Sequence, residues 1–477
     1  MPPLPRFLER LERQSKACRE VFQGPEYLSE KAASLLGVEP PLYAPSRTPS
    51  NLSQATRSPR SLRSSIETQR TAATQQTSST GSGSSTQRTP LTPPPQYCNP
   101  FSIDDFPPLD VEKPAIPPNS LVLVTGANGW LGSHVTDQLL MLGYRVRGTV
   151  RDENKSTWTT ELFRKKYGPH RYQAVIVEDM VPKGAFDIAV QGCCGIVHCA
   201  SVTDGSPDPT SVIIPTIAGA LNILESASRE PSVGRFIYTS ATAAAVNSGP
   251  GVRGDVTSDS WNMNSFFNAW KPPPYRRERA WEVYASSKLQ TEQAIWRWYS
   301  ETRPDFVVNT VLPSTLWGKM LVSPRYQGCP TSVGWLKQIW VSEQQLERDS
   351  FGKSADGRLT NFQQGNAADV AAWVPPQYCI DVQDAALLHV AALTLADVVD
   401  QRIFAAYTPW NINTLLDLLR MLYPKKKIDK GDLGDHGVDM TFFREMGVAE
   451  RLLKRMGNEK GFRDLESSLV RCIGSWS

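Results

Sequence analysis

The stretch SLVLVTGANGWLGSHVTDQLLMLGYRVRGTVR, residues 120–151, decides the fold. It reads as an apolar strand, a glycine-rich turn, an amphipathic helix and a second strand. The turn is Thr125-Gly126-Ala127-Asn128-Gly129-Trp130-Leu131-Gly132, with glycines at Gly126, Gly129 and Gly132. Gly126 permits a tight turn, Gly129 lets backbone approach a pyrophosphate, and Gly132 lets the helix pack closely on the strand. The helix N-terminus offers unpaired N–H groups and a favourable dipole to phosphates. A glycine triplet alone is a weak signal. One set between an apolar strand and an amphipathic helix predicts a dinucleotide site.

Downstream, further apolar runs occur at 174–178 (AVIVE), 195–201 (GIVHCAS), 235–240 (RFIYTS) and 306–313 (FVVNTVLP), with helical patterns between them. Strands alternating with helices predict an α/β fold, a Rossmann-type doubly wound parallel sheet covered on both faces. After about residue 320 the pattern turns mostly helical, with strands expected near Gln377–Asp381 and Arg402–Ala405. Helices are expected over Thr414–Tyr423 and Phe442–Arg455. This predicts a domain over 119–477: a core over about 119–320, and a smaller C-terminal substrate lobe over about 320–477 with interleaved segments.

Residues 1–118 have a different texture. Leu8, Leu11, Cys18 and Phe22 recur at helical spacing, so helices are expected within 5–36. Residues 41–100 are rich in Ser, Thr, Pro and Gln, with six Arg against one Glu. Such a composition buries too little apolar surface to offset chain entropy, which predicts disorder. RSPRSLRSS (57–65) offers basophilic phosphorylation sites, and Pro94-Pro95-Gln96-Tyr97 offers a polyproline docking motif. The tail is thus a candidate arm for a regulatory protein; a solvated linker is the plainer reading.

The 477-residue chain is 40% apolar and 21% charged, with a formal net charge of +3. That charge gives no case for nucleic-acid or membrane-surface partners. Eight cysteines form no Cys-x-x-Cys pair, and Cys193-Cys194 read as buried apolar residues, so a reducing, cytoplasmic setting is expected. The five histidines form no metal-ligand pattern. No apolar run is expected to span a bilayer. Glu9, Glu12 and Glu20 argue against a transit peptide, while Arg6, Arg10 and Arg13 leave that option open.

The second strand ends Thr149-Val150-Arg151, with Lys155 four residues on. Two cations without a carboxylate suit a ribose 2′-phosphate, hence NADP(H). Asp179, taken as the end of the third strand, is a candidate acceptor for the adenine amino group or a turn cap. Ala200-Ser201 ends the fourth strand at the pocket floor. In WEVYASSKLQTEQAIW (281–296), Tyr284 and Lys288 share a helical face. A buried ammonium near the phenol would lower its pKa and let Tyr284 exchange a proton with a substrate oxygen. Lys288 could also hold the nicotinamide ribose.

TGANGWLG, YASSK and NTVLPSTLWG (309–318) resemble the extended short-chain dehydrogenase/reductases. GYRVRGTVR, VEDM (177–180), EPSVGRF (230–236) and PPQY (375–378) are similar to the aldehyde reductase II and methylglyoxal reductase branch, with dihydroflavonol reductases as cousins. The resemblance covers about 119–450. It implies NADPH-dependent reduction of aldehydes or ketones, with Tyr284 as proton donor and Lys288 as its activator. It implies cofactor contacts from Thr125, Gly126, Asn128, Gly129, Trp130, Leu131, Gly132, Arg151, Lys155, Asp179, Met180, Ala200 and Ser201. Pro313 and Ser314 stand where the family wraps the nicotinamide carboxamide.

One position departs from that pattern. The family ends its fifth strand Thr-Ser-Ser, the last residue being the catalytic serine; here the run is Thr239-Ser240-Ala241. Ala241 has no hydroxyl, so Thr242 and Ser240 become the candidates, with Thr242 expected to substitute. The alternatives are an NADP-binding protein of low or no activity that acts in sensing or interaction, and a sugar-nucleotide epimerase or dehydratase. Trp261, Phe266, Phe267, Trp270 and Pro272–Tyr275, with Trp317 and Gln377 opposite, suggest a small apolar or aromatic carbonyl substrate. Simple packing of that loop is the other reading.

Overall fold

The apolar run at Leu121–Thr125 forms β1, the pivot of a seven-stranded parallel sheet. The structure, a computed structural model, describes residues 114–340, 367–428 and 433–476. The strands are β1 (Leu121–Thr125), β2 (Arg145–Val150), β3 (Tyr172–Ile176), β4 (Gly195–His198), β5 (Arg235–Thr239), β6 (Arg253–Val256), β7 (Val307–Pro313), β8 (Thr315–Trp317), β9 (Gln377–Asp381), β10 (Arg402–Ala405), β11 (Thr408–Trp410) and β12 (Met440–Phe443). The main helices are α1 (Trp130–Met141), α2 (Glu153–Tyr167), α3 (Pro209–Ser228), α4 (Ala280–Thr302), α5 (Thr331–Trp340), α6 (Val382–Thr394), α7 (Ile412–Leu422), α8 (Met446–Arg455) and α9 (Leu465–Gly474).

The large sheet runs β10-β7-β5-β4-β1-β2-β3, every pair parallel. Side chains alternate between its faces. Val122 and Val124 join one core with residues of α1 and α6, while Leu123, Ile196, Phe236 and Tyr238 join another with residues of α3 and α4. The chain leaves β1 toward β2 and β3, then crosses to β4 and beyond. That reversal opens a crevice at the carboxyl ends of β1 and β4, where ligands bind in such folds. A third core around Trp317, Trp335, Trp410, Leu416 and Leu469 builds the smaller lobe. It includes the three-stranded sheet β11-β9-β8, and β12 pairs with β6 separately.

Strands fall where expected at Gln377–Asp381 and Arg402–Ala405, and the second of these pairs with β7 to extend the core sheet. The helix expected over Phe442–Arg455 starts only at Met446. Met440–Phe443 is a strand, because Thr441 and Phe443 are buried while Met440 and Phe442 are exposed, a period of two. The fold begins ahead of Asn119: Ala115 N donates to Thr394 O at 2.7 Å, and Ile116 is buried. The expectation that no apolar run could span a bilayer is corrected. The 20-residue α3 is long and apolar enough by composition, yet Ile213, Ile217, Ile223 and Leu224 are buried in the protein. The expectations for helices within 5–36, the 41–100 linker and its motifs lie outside the described residues.

Candidate active site

Steric limits build the turn after β1. Gly126 has φ +65°, and a Cβ there would sit 3.3 Å from the Ala200 backbone. A Cβ on Gly132 would come within 2.3 Å of Gly126 O, and one on Gly129 within 3.1 Å of the same atom. Gly132 therefore serves the turn's own closure, with Gly129 N donating to Gly126 O at 2.9 Å. Ala200 N donates to Thr125 Oγ1 (3.0 Å), and that hydroxyl bonds His198 Nδ1 (2.8 Å), tying the ends of β1 and β4 together. The side chain of Trp130 turns away to donate to Lys319 O (3.1 Å), which His134 Nε2 also meets (2.8 Å). Leu131 packs against the core shared by α1 and α6 and against the core of the smaller lobe. Both side chains are thus committed within the protein, and what these two positions have left to offer is their backbone amides at the α1 N-terminus. Gln327 Nε2 reaches Ser133 Oγ (2.9 Å) and Gly129 O (3.2 Å), a clamp no sequence pattern announced. Asn128 is half-buried in the turn. Ser201 Oγ is buried without a partner among the described residues.

At the tip of β2, Arg151 is exposed. The tip is not free of carboxylates, because Asp152 follows directly. Its Oδ1 accepts from Lys155 N (3.0 Å), capping α2, and its Oδ2 pairs with Lys155 Nζ (3.3 Å). Asp152 is thereby occupied at the helix start. Asp179 lies beyond the end of β3, which stops at Ile176, and its Oδ1 accepts from Val181 N (2.9 Å) as a turn cap. Met180 packs on α3, 2.6 Å from where a Cβ on Gly219 would sit.

Tyr284, Lys288 and Glu292 recur along one face of α4. Lys288 is 4% exposed; its Nζ donates to Thr239 O at 3.0 Å and lies over the Tyr238 ring. Burial pulls the Lys288 ammonium down to about 8. Burial also raises the Tyr284 phenol, to about 12, contrary to the expectation of a lowered value. The ammonium is drawn to the end of β5, and desolvation alone governs the phenol. Burial, reinforced by Lys288, holds His198 down at about 3; His389, bonded to Thr239 Oγ1 at 2.9 Å, is held at about 4.

The end of β5 sorts its hydroxyls. Ser240 Oγ donates to Glu292 Oε2 at 2.7 Å, deep in the protein, so its one proton is already committed to a buried carboxylate. This corrects its place among the candidate donors. Ala241 packs with Ala243 and Ala285, against the rings of Trp281 and Tyr284. Thr242 opens a short 3₁₀ turn, Thr242–Ala244, and its hydroxyl bonds no other described residue. Pro313 ends β7, and Ser314 is tied to β10 through Ser314 N and Oγ, which donate to Ala405 O at 3.0 and 3.1 Å.

Residues 122–324 match the family model described as the NAD dependent epimerase/dehydratase family. The NAD-dependent epimerase/dehydratase terH of Aspergillus terreus is 34% identical over 367 residues, spanning 77% of this chain and 100% of that protein. This chain belongs to the NAD dependent epimerase/dehydratase family. Aldehyde reductase 2 of Sporidiobolus salmonicolor is likewise 34% identical, over 76% of this chain and 98% of its own. The solved yeast methylglyoxal/isovaleraldehyde reductase Gre2, complexed with NADPH, shares the fold at a TM-score of 0.55 and 21% identity, over 75% of this chain and 98% of its own. The resemblance to extended short-chain dehydrogenase/reductases drawn from the motifs is borne out.

In this epimerase/dehydratase-family chain, few of the aromatics expected near the substrate are free to be there. Trp261 lies against Arg402, 3.8 Å from guanidinium carbon to ring centre, and Phe266 is buried with Ala244 and Leu289. Trp317 is fully buried against Trp410, and Gln377 accepts from Thr315 Oγ1 at 2.7 Å. Trp270 is packed, and Phe267 is exposed. Trp281, which the sequence reading passed over, has its ring centre 5.8 Å from that of Tyr284. Its spacing, three residues before Tyr284 on a helix, was the available signal.

Proposed function

We propose that this family member is an NADPH-dependent reductase of aldehydes or ketones, with Tyr284 as the proton donor. One observation carries the reading: α4 places Tyr284 beside the turn that ends β5 and anchors Lys288 to that strand's last carbonyl. The turn after β1 fits a dinucleotide. It leaves no room for a Cβ at Gly132, presents unpaired amides at the α1 N-terminus, and lies near the unpartnered Ser201 hydroxyl. Exposed Arg151, with Lys155 on the first turn of α2, would take the 2′-phosphate. Asp179 and Met180 would border the adenine, and Pro313 and Ser314 the nicotinamide. NADP(H), when bound, supplies the hydride.

The protein's own groups do the rest. With its pKa held up, Tyr284 keeps its proton at neutral pH and can give it to a carbonyl oxygen as negative charge develops there. Lys288 stays largely protonated below about 8 and, anchored at the end of β5, would hold the nicotinamide ribose through its ammonium. Thr242 would supply the second hydrogen bond that Ala241 cannot. The lobe formed after about residue 320 would carry the substrate side, and Trp281 favours an apolar or aromatic group there. The relative named aldehyde reductase 2 supports the carbonyl class. The described cysteines are free, which fits the cytoplasmic setting.

The test is NADPH oxidation by the full chain against a panel of aldehydes, ketones and sugar nucleotides. Turnover of a carbonyl with NADPH, and far less with NADH, is expected. NADPH binding without turnover of any carbonyl would favour a sensing role. Interconversion of sugar nucleotides would favour an epimerase.

A further inference from the structure

Beneath the catalytic face of α4 lies a fully buried ion pair. Glu292 and Arg402 side chains are both 0% exposed and meet as a fork, Nε to Oε1 at 2.8 Å and Nη2 to Oε2 at 3.2 Å. The carboxylate also accepts from Ser240 Oγ at 2.7 Å and Thr310 Oγ1 at 2.7 Å. The guanidinium also donates from Nη1 to Ser258 O (2.6 Å) and Ser260 O (2.9 Å), and lies against Trp261. The next residue in that loop, Asn262, returns to the 3₁₀ turn. Its backbone N donates to Ala244 O, and its Nδ2 to Ala243 O, each at 2.9 Å.

The pair therefore holds the strand-end turn from both sides. Ser240 is gripped directly, just before Ala241. Ala243 and Ala244 are gripped just after Thr242, through the loop that Arg402 anchors. An apolar pair of similar size could join helix and sheet at equal stability. It could not hold a hydroxyl and two carbonyls in place.

We propose that the Glu292–Arg402 pair, acting through Ser240, is a positioning device that sets the Thr242 hydroxyl beside Tyr284. The inference rests on the reading of Tyr284 and Thr242 given above. Ser240 is a positioning residue, since it reaches the reaction only through the turn.

The experiment is a double-mutant cycle in the full chain, with kcat and KM measured for NADPH and for the best aldehyde of the panel. Ser240→Ala is expected to lower kcat about tenfold, leaving the NADPH KM unchanged, and Ser240→Thr to restore it. On a Thr242→Ala background, Ser240→Ala is expected to have no further effect. Equal losses on both backgrounds, or an unchanged kcat in Ser240→Ala, would overturn the inference. So would an unchanged kcat in Thr242→Ala. A kcat that survives Tyr284→Phe would instead sink the catalytic reading itself. Because Glu292→Gln or Arg402→Lys could unfold the chain, the small Ser240 change carries the test, with thermal melting as the control for folding.

Discussion

The turn after β1 and the turn after β5 end strands two places apart in the same sheet, yet different physics shapes them. The first is set by what backbone allows: Gly132 leaves no space for a Cβ because Gly126 O is already there. The cause and its effect lie within one turn of sequence. The second is set by side chains far away in the chain. Ser240 is held by Glu292, 52 residues on, and Glu292 by Arg402, a further 110 residues on. The proposed site would then be locally encoded at its cofactor end and remotely encoded at its reacting end.

The sharpest way to test the reacting end is Tyr284→Phe. It should cut kcat by about 10²–10⁴, with NADPH affinity, measured by fluorescence titration, left intact. If affinity fell instead, the two ends would not be separable. Gly132→Ala should do the opposite, at a strain of about 2–3 kcal/mol. That is roughly 30- to 150-fold in NADPH Kd, seen in the same titration.

The pH profile of kcat should hold steady below about 8 and fall above it, because Lys288's lowered value removes the ammonium there. Well above that point the slope should approach about tenfold per unit. Arg151→Ala should reduce the preference for NADPH over NADH by about tenfold, read from the two kcat/KM ratios. The smallest effect is expected from Ala241→Ser. If Thr242 supplies the missing hydroxyl, kcat should change by less than about tenfold. A rise well beyond that would mean the remote clamp fails to complete the site.

The same division explains what could be read without coordinates. The alternation of strands and helices, the glycine turn and the Tyr284–Lys288 spacing are short-range patterns, and each found its place. Ser240 read as a free hydroxyl because nothing in FIYTSATAAA, residues 236–245, announces Glu292 as its partner. Asp152 was passed over because its turn onto Lys155 depends on where α2 begins. Trp317 and Gln377 looked like pocket walls but belong to the lobe's own interior, a matter of which core each strand joins. The Phe442 segment looked helical by composition, and pairing with β6 made it a strand.

β10 reaches the sheet's edge late in the chain, and that order matters while the protein is being made. Synthesis adds about 5–20 residues per second, so the 110 residues from Glu292 to Arg402 take roughly 5–20 s to appear. Throughout that interval the nascent chain holds a carboxylate destined for a dry interior without the cation that balances it. Closing the core around that lone charge would be strongly unfavourable. The buried counter-charge for α4 thus arrives only when β10 is made, and a product that stops short of Arg402 lacks it.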